Sequence, residues 1–339
     1  MVIAQNFIAR KFPVLAALAL WLGLQPPVFA HGAEPAAPEA AIPACPMDDA
    51  EANPADPADA DGCLAAADAH AEGEGVGVGV AKDDAAALAL FARACQLGAM
   101  RGCAMAGFYY GEGRGAAKSI ERAVDYYAWA CHGGEATGCS NLGLAHIDGD
   151  GVERDARRAT ALFRKACDLG GRAGCANLGA SYSLGKGVRR DQRRAAGLFR
   201  QACDKGDDHA CYNLGVLHRD GLGVRRDLRR AAALFGASCE ADDASACGNL
   251  GMLVNDGRGV EKDRARALAL FDKACALGEA ESCFTLGRAY QTGKGRPRDD
   301  ARAIRLLERA LALDPETHSA KEAVKALALA REGAAPDQR

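Results

Sequence analysis

Apolar residues recur at helical spacing through most of the chain. Ala159, Leu162, Phe163 and Ala166 stand at i, i+3, i+4 and i+7, and Ala195, Leu198, Phe199 and Ala202 repeat that stripe 36 residues later. Such spacing puts four side chains on one face, so each stripe predicts an amphipathic helix with one buried side. One large position keeps the beat throughout, as Phe91, Tyr127, Phe163, Phe199, Phe235, Phe271 and Leu307. Eight residues ahead of each stands a residue whose side-chain oxygen can accept first-turn N–H groups: Asp83, Ser119, Asp155, Asp191, Asp227, Asp263 and Asp299. A glycine suited to a left-handed closing turn follows at Gly98, Gly134, Gly170, Gly206 and Gly278, and Asp242 holds that place in the fifth copy. These signals bound a helix of about fifteen residues, helix A of a repeat.

Helix B follows. It carries Asn141-Leu142-Gly143, Asn177-Leu178-Gly179, Asn213-Leu214-Gly215 and Asn249-Leu250-Gly251. A mid-helix glycine costs about 1 kcal/mol against alanine, so its recurrence predicts close approach of a neighbouring helix backbone. Each copy then closes on Gly-x-Gly, at Gly149/Gly151, Gly185/Gly187, Gly221/Gly223, Gly257/Gly259 and Gly293/Gly295. A fixed period of this length is the mark of a stacked array rather than a single core.

Cysteine keeps the same period on two combs. Cys95, Cys131, Cys167, Cys203, Cys239 and Cys275 end the A helices, and Cys103, Cys139, Cys175, Cys211, Cys247 and Cys283 follow eight residues later. A helix hairpin can bring such a pair within the roughly 4.4–6.8 Å between Cα atoms that a disulfide needs. Closing a nine-residue loop is worth about 2.5 kcal/mol in the chain-entropy account. Two further cysteines, Cys45 and Cys63, are expected to bridge in an irregular front unit. The predicted fold is all-α: an α/α superhelical solenoid of helix hairpins with one disulfide per repeat.

The expected division is a signal peptide at 1–30, a disordered stretch at 31–44 and a degenerate cap repeat at 45–82. Six 36-residue repeats fill 83–298, followed by a Cys-free cap hairpin at 299–332 and a disordered tail at 333–339. Leu311 and Ser319 stand where the combs would place the next two cysteines, and Asp314-Pro315-Glu316 is read as the start of a last helix to about Ala330. Arg10 and Lys11 ahead of the uncharged run Phe12–Leu24, then Val28-Phe29-Ala30, read as an export signal cleaved after Ala30. Fourteen cysteines behind such a signal belong to an oxidising compartment, periplasmic or secreted. No stable membrane span is expected after cleavage.

Composition agrees with an array. Aromatics make up 6% of the 339 residues, too few for one large core, and Ala and Gly are abundant. Net charge is −3, but residues 31–92 hold thirteen acids and one base, while 151–235 hold eighteen bases and nine acids. The basic excess lies in one slot of each copy, as Arg189, Arg190, Arg193, Arg194 and Arg225, Arg226, Arg229, Arg230. It reads as a solvated face or as a docking face for an anionic peptide or envelope glycan; nucleic acid is not an expected partner of an exported chain.

The Arg-Ala-x-x-Leu-Phe run of helix A, the Asn-Leu-Gly of helix B and the Gly-x-Gly-Val-x-x-Asp turn resemble Sel1-like repeats, relatives of the tetratricopeptide repeat. With Cys-x7-Cys in each unit the chain looks most like the cysteine-rich Hcp group. The resemblance covers 83–313 well and 45–82 and 314–332 loosely. It implies a right-handed superhelix with one disulfide per hairpin, and most such proteins are regarded as protein-interaction scaffolds. It also implies an alternative, because Hcp members are reported to bind penicillin-type ligands and to hydrolyse β-lactams weakly. A mitochondrial relative acts in respiratory-complex assembly.

Little else in the sequence carries chemistry. Ser183-Leu184-Gly185-Lys186 fits the Ser-x-x-Lys of serine β-lactamases, but neither Ser-Asp-Asn nor Lys-Thr-Gly accompanies it, so Ser183 and Lys186 are weak catalytic candidates. Cys-x7-Cys lacks the spacing of a zinc site, and no metal or cofactor is expected. His146 and His218 share a slot with Tyr110, Tyr182 and Tyr290 and read as wall residues; His132 and His209 read as solvated. The expected partner of the scaffold is a protein, a peptide or an envelope glycan.

Overall fold

The computed structural model describes residues 57–73, 81–315 and 320–334. Among these residues there are fifteen helices and no strands. They fall into two compact units that meet in sequence between Arg190 and Asp191. The first holds α1 (Pro57–Glu72), α2 (Asp84–Gln96), α3 (Met100–Glu112), α4 (Ile120–His132), α5 (Ala136–Asp148), α6 (Ala156–Asp168) and α7 (Arg172–Leu184). The second holds α8 (Gln192–Cys203), α9 (Asp208–Asp220), α10 (Leu228–Glu240), α11 (Ala244–Asp256), α12 (Arg264–Ala276), α13 (Ala280–Thr292), α14 (Asp300–Leu313) and α15 (Ala320–Ala334). Within each unit consecutive helices pack as hairpins, and B helices of successive hairpins, such as α3, α5 and α7, also touch.

The A helices begin at the seven expected caps. Asp83, Ser119, Asp155, Asp191, Asp227, Asp263 and Asp299 each accept a first-turn backbone N–H, worth about 1 kcal/mol apiece. The helices are 12 to 14 residues long, slightly shorter than expected. Gly98, Gly134, Gly170, Gly206 and Gly278 follow their ends at positive φ. Asp242 takes the same conformation, φ 63°, without being glycine. Its carboxylate meets Lys273 Nζ at 2.7 Å. B helices have caps that the sequence reading did not pick out: Glu135, Asp207, Asp243 and Glu279 accept from their own first turns.

The twelve comb cysteines form six disulfides, each joining residues eight apart, with Cα–Cα distances of 4.4–4.7 Å. In three of the hairpins a glycine before the second cysteine leaves room for this approach. A Cβ at Gly102 would stand 2.7 Å from the Phe91 carbonyl oxygen, and one at Gly174 would stand 2.7 Å from the Ala166 carbonyl carbon. The Asn-Leu-Gly glycine does something different from what its recurrence predicted. A Cβ on Gly143 would meet the Phe163 ring at 2.5 Å, on Gly215 the Phe235 ring at 2.8 Å and on Gly251 the Phe271 ring at 2.7 Å. The missing side chain seats the large residue of the next A helix, so a ring rather than a backbone fills the space. Phe163 and Phe235 are accordingly fully buried.

A second ladder runs along the A helices. Lys165 Nζ donates to the Cys131 carbonyl and Lys273 Nζ to the Cys239 carbonyl, both at 2.6 Å, and Arg309 reaches Ala276 O at 3.0 Å. Each cation satisfies a carbonyl at the end of the preceding A helix in its unit, where the helix dipole favours positive charge.

The ends depart from the sequence reading. Asp314 lies at the close of α14, its N–H bonded to Ala310 O, instead of starting the last helix. Helix α15 runs on to Ala334, past Ala330 and into the stretch read as a disordered tail. Buried Ala323, Ala326 and Ala330 and an Arg331–Glu308 ion pair of 2.7 Å hold it on α14. Cys63 is disulfide-bonded. Its expected partner Cys45, the signal segment 1–30 and the stretch 31–44 lie outside the described residues, as do 335–339. No described helix is long and apolar enough to cross a membrane.

Candidate functional site

In a repeat array, function is to be sought where one copy breaks the pattern. The second unit has such a place between α9 and α11. Tyr212 stands in a slot otherwise held by Ala104, Ser140, Ala176, Gly248 and Phe284. Arg219 stands where the other copies carry Gly111, Ile147, Ser183, Asn255 and Gln291. Two turns of α9 separate them, so both side chains lie on one helix face.

Asn249, the asparagine of the fifth Asn-Leu-Gly, links the two. Arg219 Nη1 donates to Asn249 Oδ1 at 2.5 Å. Asn249 Nδ2 donates to Ser245 O at 2.8 Å and faces the Tyr212 hydroxyl at 3.5 Å. Tyr212 is buried against the Phe235 ring, and burial pushes its phenol up to about 12. The other edge of the Arg219 guanidinium donates Nε and Nη2 to the two Asp220 oxygens at 2.7 and 2.8 Å. Those bonds hold the Asp220 carboxyl below the usual carboxylate range.

This network forms the wall of a cavity of about 460 Å³, lined by Arg219, Asp220, Arg226, Asn249, Met252, Leu253, Asp256 and Arg258. Arg226 donates Nε to the Arg219 carbonyl at 3.1 Å, leaving its outer nitrogens uncommitted. No acid pairs with Arg258 among the described residues. Asp256 accepts from Asn255 Nδ2 at 2.9 Å. Leu253 is buried, while Met252 is 45% exposed.

The sequence reading found only Arg226 of this cavity. Comparing the copies column by column would have singled out Arg219, whose charge none of its counterparts shares, and Tyr212, whose one large counterpart is Phe284. Of the eight arginines of the basic slot, all are exposed. Arg194 pairs loosely with its own cap Asp191 at 3.5 Å, and Arg226 turns toward the cavity. Ser183 occupies the Arg219 slot of the first unit and is 2% exposed in the last turn of α7. A nucleophile must meet its substrate, and Ser183 faces the packed interior. Lys186 lies in the following turn, where its carbonyl accepts from Thr160 Oγ1 at 3.1 Å.

The histidines divide. His146 and His218 are buried wall residues, His146 with Nδ1 2.9 Å from Glu153 O. His132 is exposed. His209 is exposed but not merely solvated: its Nδ1 lies 3.3 Å from Asp243 Oδ2, while Asp243 Oδ1 caps α11 through Ala246 N. The Asp243 hydrogen bond raises the His209 pKa above its ordinary value. A raised folded-state value means the pair stabilises fully below the unfolded value and fades as pH rises through the folded one. Wild-type protein is therefore expected to lose up to about 1 kcal/mol relative to His209→Ala between pH 5.5 and 8.5. Denaturant melts of the two proteins at both pH values check this; parallel curves would remove the pair as a contributor.

The sequence matches the Sel1 repeat at residues 60–98, 101–135, 136–171, 172–207, 208–243, 244–279 and 280–315. No curated protein sequence matches the chain. Among solved structures it is similar to c5321, a protective antigen of uropathogenic Escherichia coli with an SLR fold, at a TM-score of 0.64 and 23% identity. That alignment covers 81% of this chain, which spans only 62% of the antigen's length. A Sel1 repeat protein from Oxalobacter formigenes aligns at a TM-score of 0.60 and 24% identity over 66% of this chain and 90% of its own. The cysteine-rich protein B (hcpB) of Helicobacter pylori is 32% identical over 39% of this chain and 96% of its own, at a TM-score of 0.33. At their identities the first two show a shared fold.

Proposed function

The chain belongs to the Sel1 repeat family, and from that premise we propose that it is an exported scaffold, braced by disulfides, that holds a protein or peptide partner at the α9–α11 cavity. The carrying observation is the break in repetition on α9: Arg219 is charged where Gly111, Ile147, Ser183, Asn255 and Gln291 are neutral, and it is tied through Asn249 to the buried Tyr212. A buried polar network is costly unless its members are hydrogen-bonded, and fully satisfied it fixes one arrangement; here Asn249 accepts from Arg219 and donates to Ser245 O. The six disulfides fit an oxidising compartment, periplasmic or extracellular. A weak β-lactam-binding or β-lactam-hydrolysing role draws no support from Ser183, which is buried. An envelope glycan at the basic slot is the lesser reading, because Arg226 is the one arginine of that slot in the lining of the α9–α11 cavity.

A photo-crosslinking residue placed at Met252 of the oxidised protein, exposed to envelope extract, should capture one reproducible polypeptide. The same label at Val324, which is 56% exposed on α15, serves as the control. Capture at both positions alike, or at neither, would count against the cavity as the contact. Sequencing the exported product should return His31 as its first residue.

A further inference from the structure

The chemistry of the lining names the partner's side chain, an inference that rests on the scaffold reading above. Three arginines and two aspartates line the cavity. Arg219 and Asp220 neutralise one another through paired hydrogen bonds. Arg226 and Arg258 then exceed Asp256 by one positive charge. Arg226 is oriented through its Nε, so its Nη1 and Nη2 are free to donate. Arg258 rises from the turn after α11, and among the described residues no acid pairs with it. A guanidinium presents parallel donors matched to a carboxylate, and such charge-assisted pairs are stronger than neutral ones.

Beside these cations sits an apolar contact. Met252 is 45% exposed over the buried Leu253. A methionine is a flexible surface that molds to a neighbouring aliphatic group. Its slot is held elsewhere by Phe108, Leu144, Ala180, Val216 and Arg288. Asp256, fixed by Asn255, would oppose a second negative charge.

We propose that the cavity takes a single acidic side chain of an extended partner polypeptide, with an adjacent apolar residue laid on Met252. The carboxylate is held between Arg226 and Arg258. Arg219, clamped by Asp220 and Asn249, serves as a positioning residue: its carbonyl fixes Arg226, and its side chain ties α9 to α11.

The test uses the oxidised full chain and three blocked hexapeptides, acetyl-Gly-Ser-Glu-Leu-Ser-Gly-amide and its Glu→Gln and Leu→Ser versions, titrated by NMR. The Glu-Leu peptide should bind about tenfold more tightly than the Gln version, and more tightly than the Ser version, with the Met252 methyl signal shifting. Arg226→Gln and Arg258→Gln, both at exposed turn positions, should each remove most of the Glu preference while leaving the thermal melt unchanged. Equal binding of the Glu and Gln peptides would overturn the inference. So would inorganic phosphate displacing the peptide at matched concentration, which would reassign the cavity to a phosphorylated ligand. A polypeptide captured through Met252 that is held equally by Arg226→Gln/Arg258→Gln protein would sink the acidic pocket and leave the scaffold reading standing.

Discussion

Reducing the disulfides is expected to unfold both units at temperatures where the oxidised protein is fully folded. Each bridge closes a loop of nine residues, for about 2.5 kcal/mol of unfolded-state constraint. Small domains total only about 5–15 kcal/mol of net stability, so three bridges in one unit are of the same order as everything else combined. What they brace is thin. In the α6–α7 hairpin the buried apolar side chains besides cysteine are Phe163, Leu178, Tyr182 and three alanines, and alanine buries little surface. Eleven of the twelve comb cysteines are at most 8% exposed and Cys203 is half-buried, so at most bridges reductant must wait for a hairpin to open, and loss of structure should be slow at first and then accelerate. Circular dichroism and protease digestion of reduced, alkylated protein against oxidised protein measure the effect. Equal protection in both forms would show that packing alone suffices. Replacing one pair, Cys167→Ser with Cys175→Ser, should cost about 2–3 kcal/mol in the unit that holds it. Contacts in such arrays run between neighbours, so the damage should spread little beyond adjoining hairpins.

Much of this architecture could be read from spacing alone. The caps from Asp83 to Asp299, the two cysteine combs and the closing glycines are local devices, and each works within a dozen residues of itself. That is why their meaning survives without coordinates. What spacing could not show was which atom fills a gap. Gly143 signalled a close approach, but whether a backbone or a ring approached depended on α6 lying against α5, a relation between elements. The Lys165 and Lys273 contacts were hidden for the same reason, since each joins residues 34 apart through helix stacking. The cavity was missed for another reason. Attention to what repeats favours the shared basic slot, whereas Tyr212 and Arg219 are informative because they do not repeat. Asn249 compounds this, for it looks like one more member of the Asn-Leu-Gly series until its oxygen is found on Arg219. At the C-terminal end, Asp314-Pro315 carries both a stop and a start signal. The stop is the one seen, because Asp314 N–H completes α14 on Ala310 O.

The ring-and-glycine pairing yields the largest effect expected of any single side chain. Phe163 is fully buried, with its Cε1 2.5 Å and its Cδ1 2.8 Å from where a Cβ on Gly143 would stand. Phe163→Ala should destabilise the first unit by about 3–5 kcal/mol, through lost burial and the cavity left behind. Gly143→Ala sets two forces against each other. Helix propensity favours alanine by about 1 kcal/mol, but the methyl must displace a packed ring, at about 1–3 kcal/mol. The ring is hemmed in, so the steric term wins and the variant should be less stable than wild type. The two changes should not add. With the ring gone the Gly143 methyl has room, and the double variant should recover about 1–2 kcal/mol against the sum of the singles. Gly236, inside α10, supplies the opposite sign. A Cβ there meets nothing within 4 Å, so Gly236→Ala should stabilise the second unit by up to about 1 kcal/mol. Urea melts of the four variants decide the matter. If Gly143→Ala and Gly236→Ala both stabilise, propensity rather than ring packing governs these glycines. A destabilised Gly143→Ala beside a stabilised Gly236→Ala means that the recurring glycine is kept to make room for the next helix's ring.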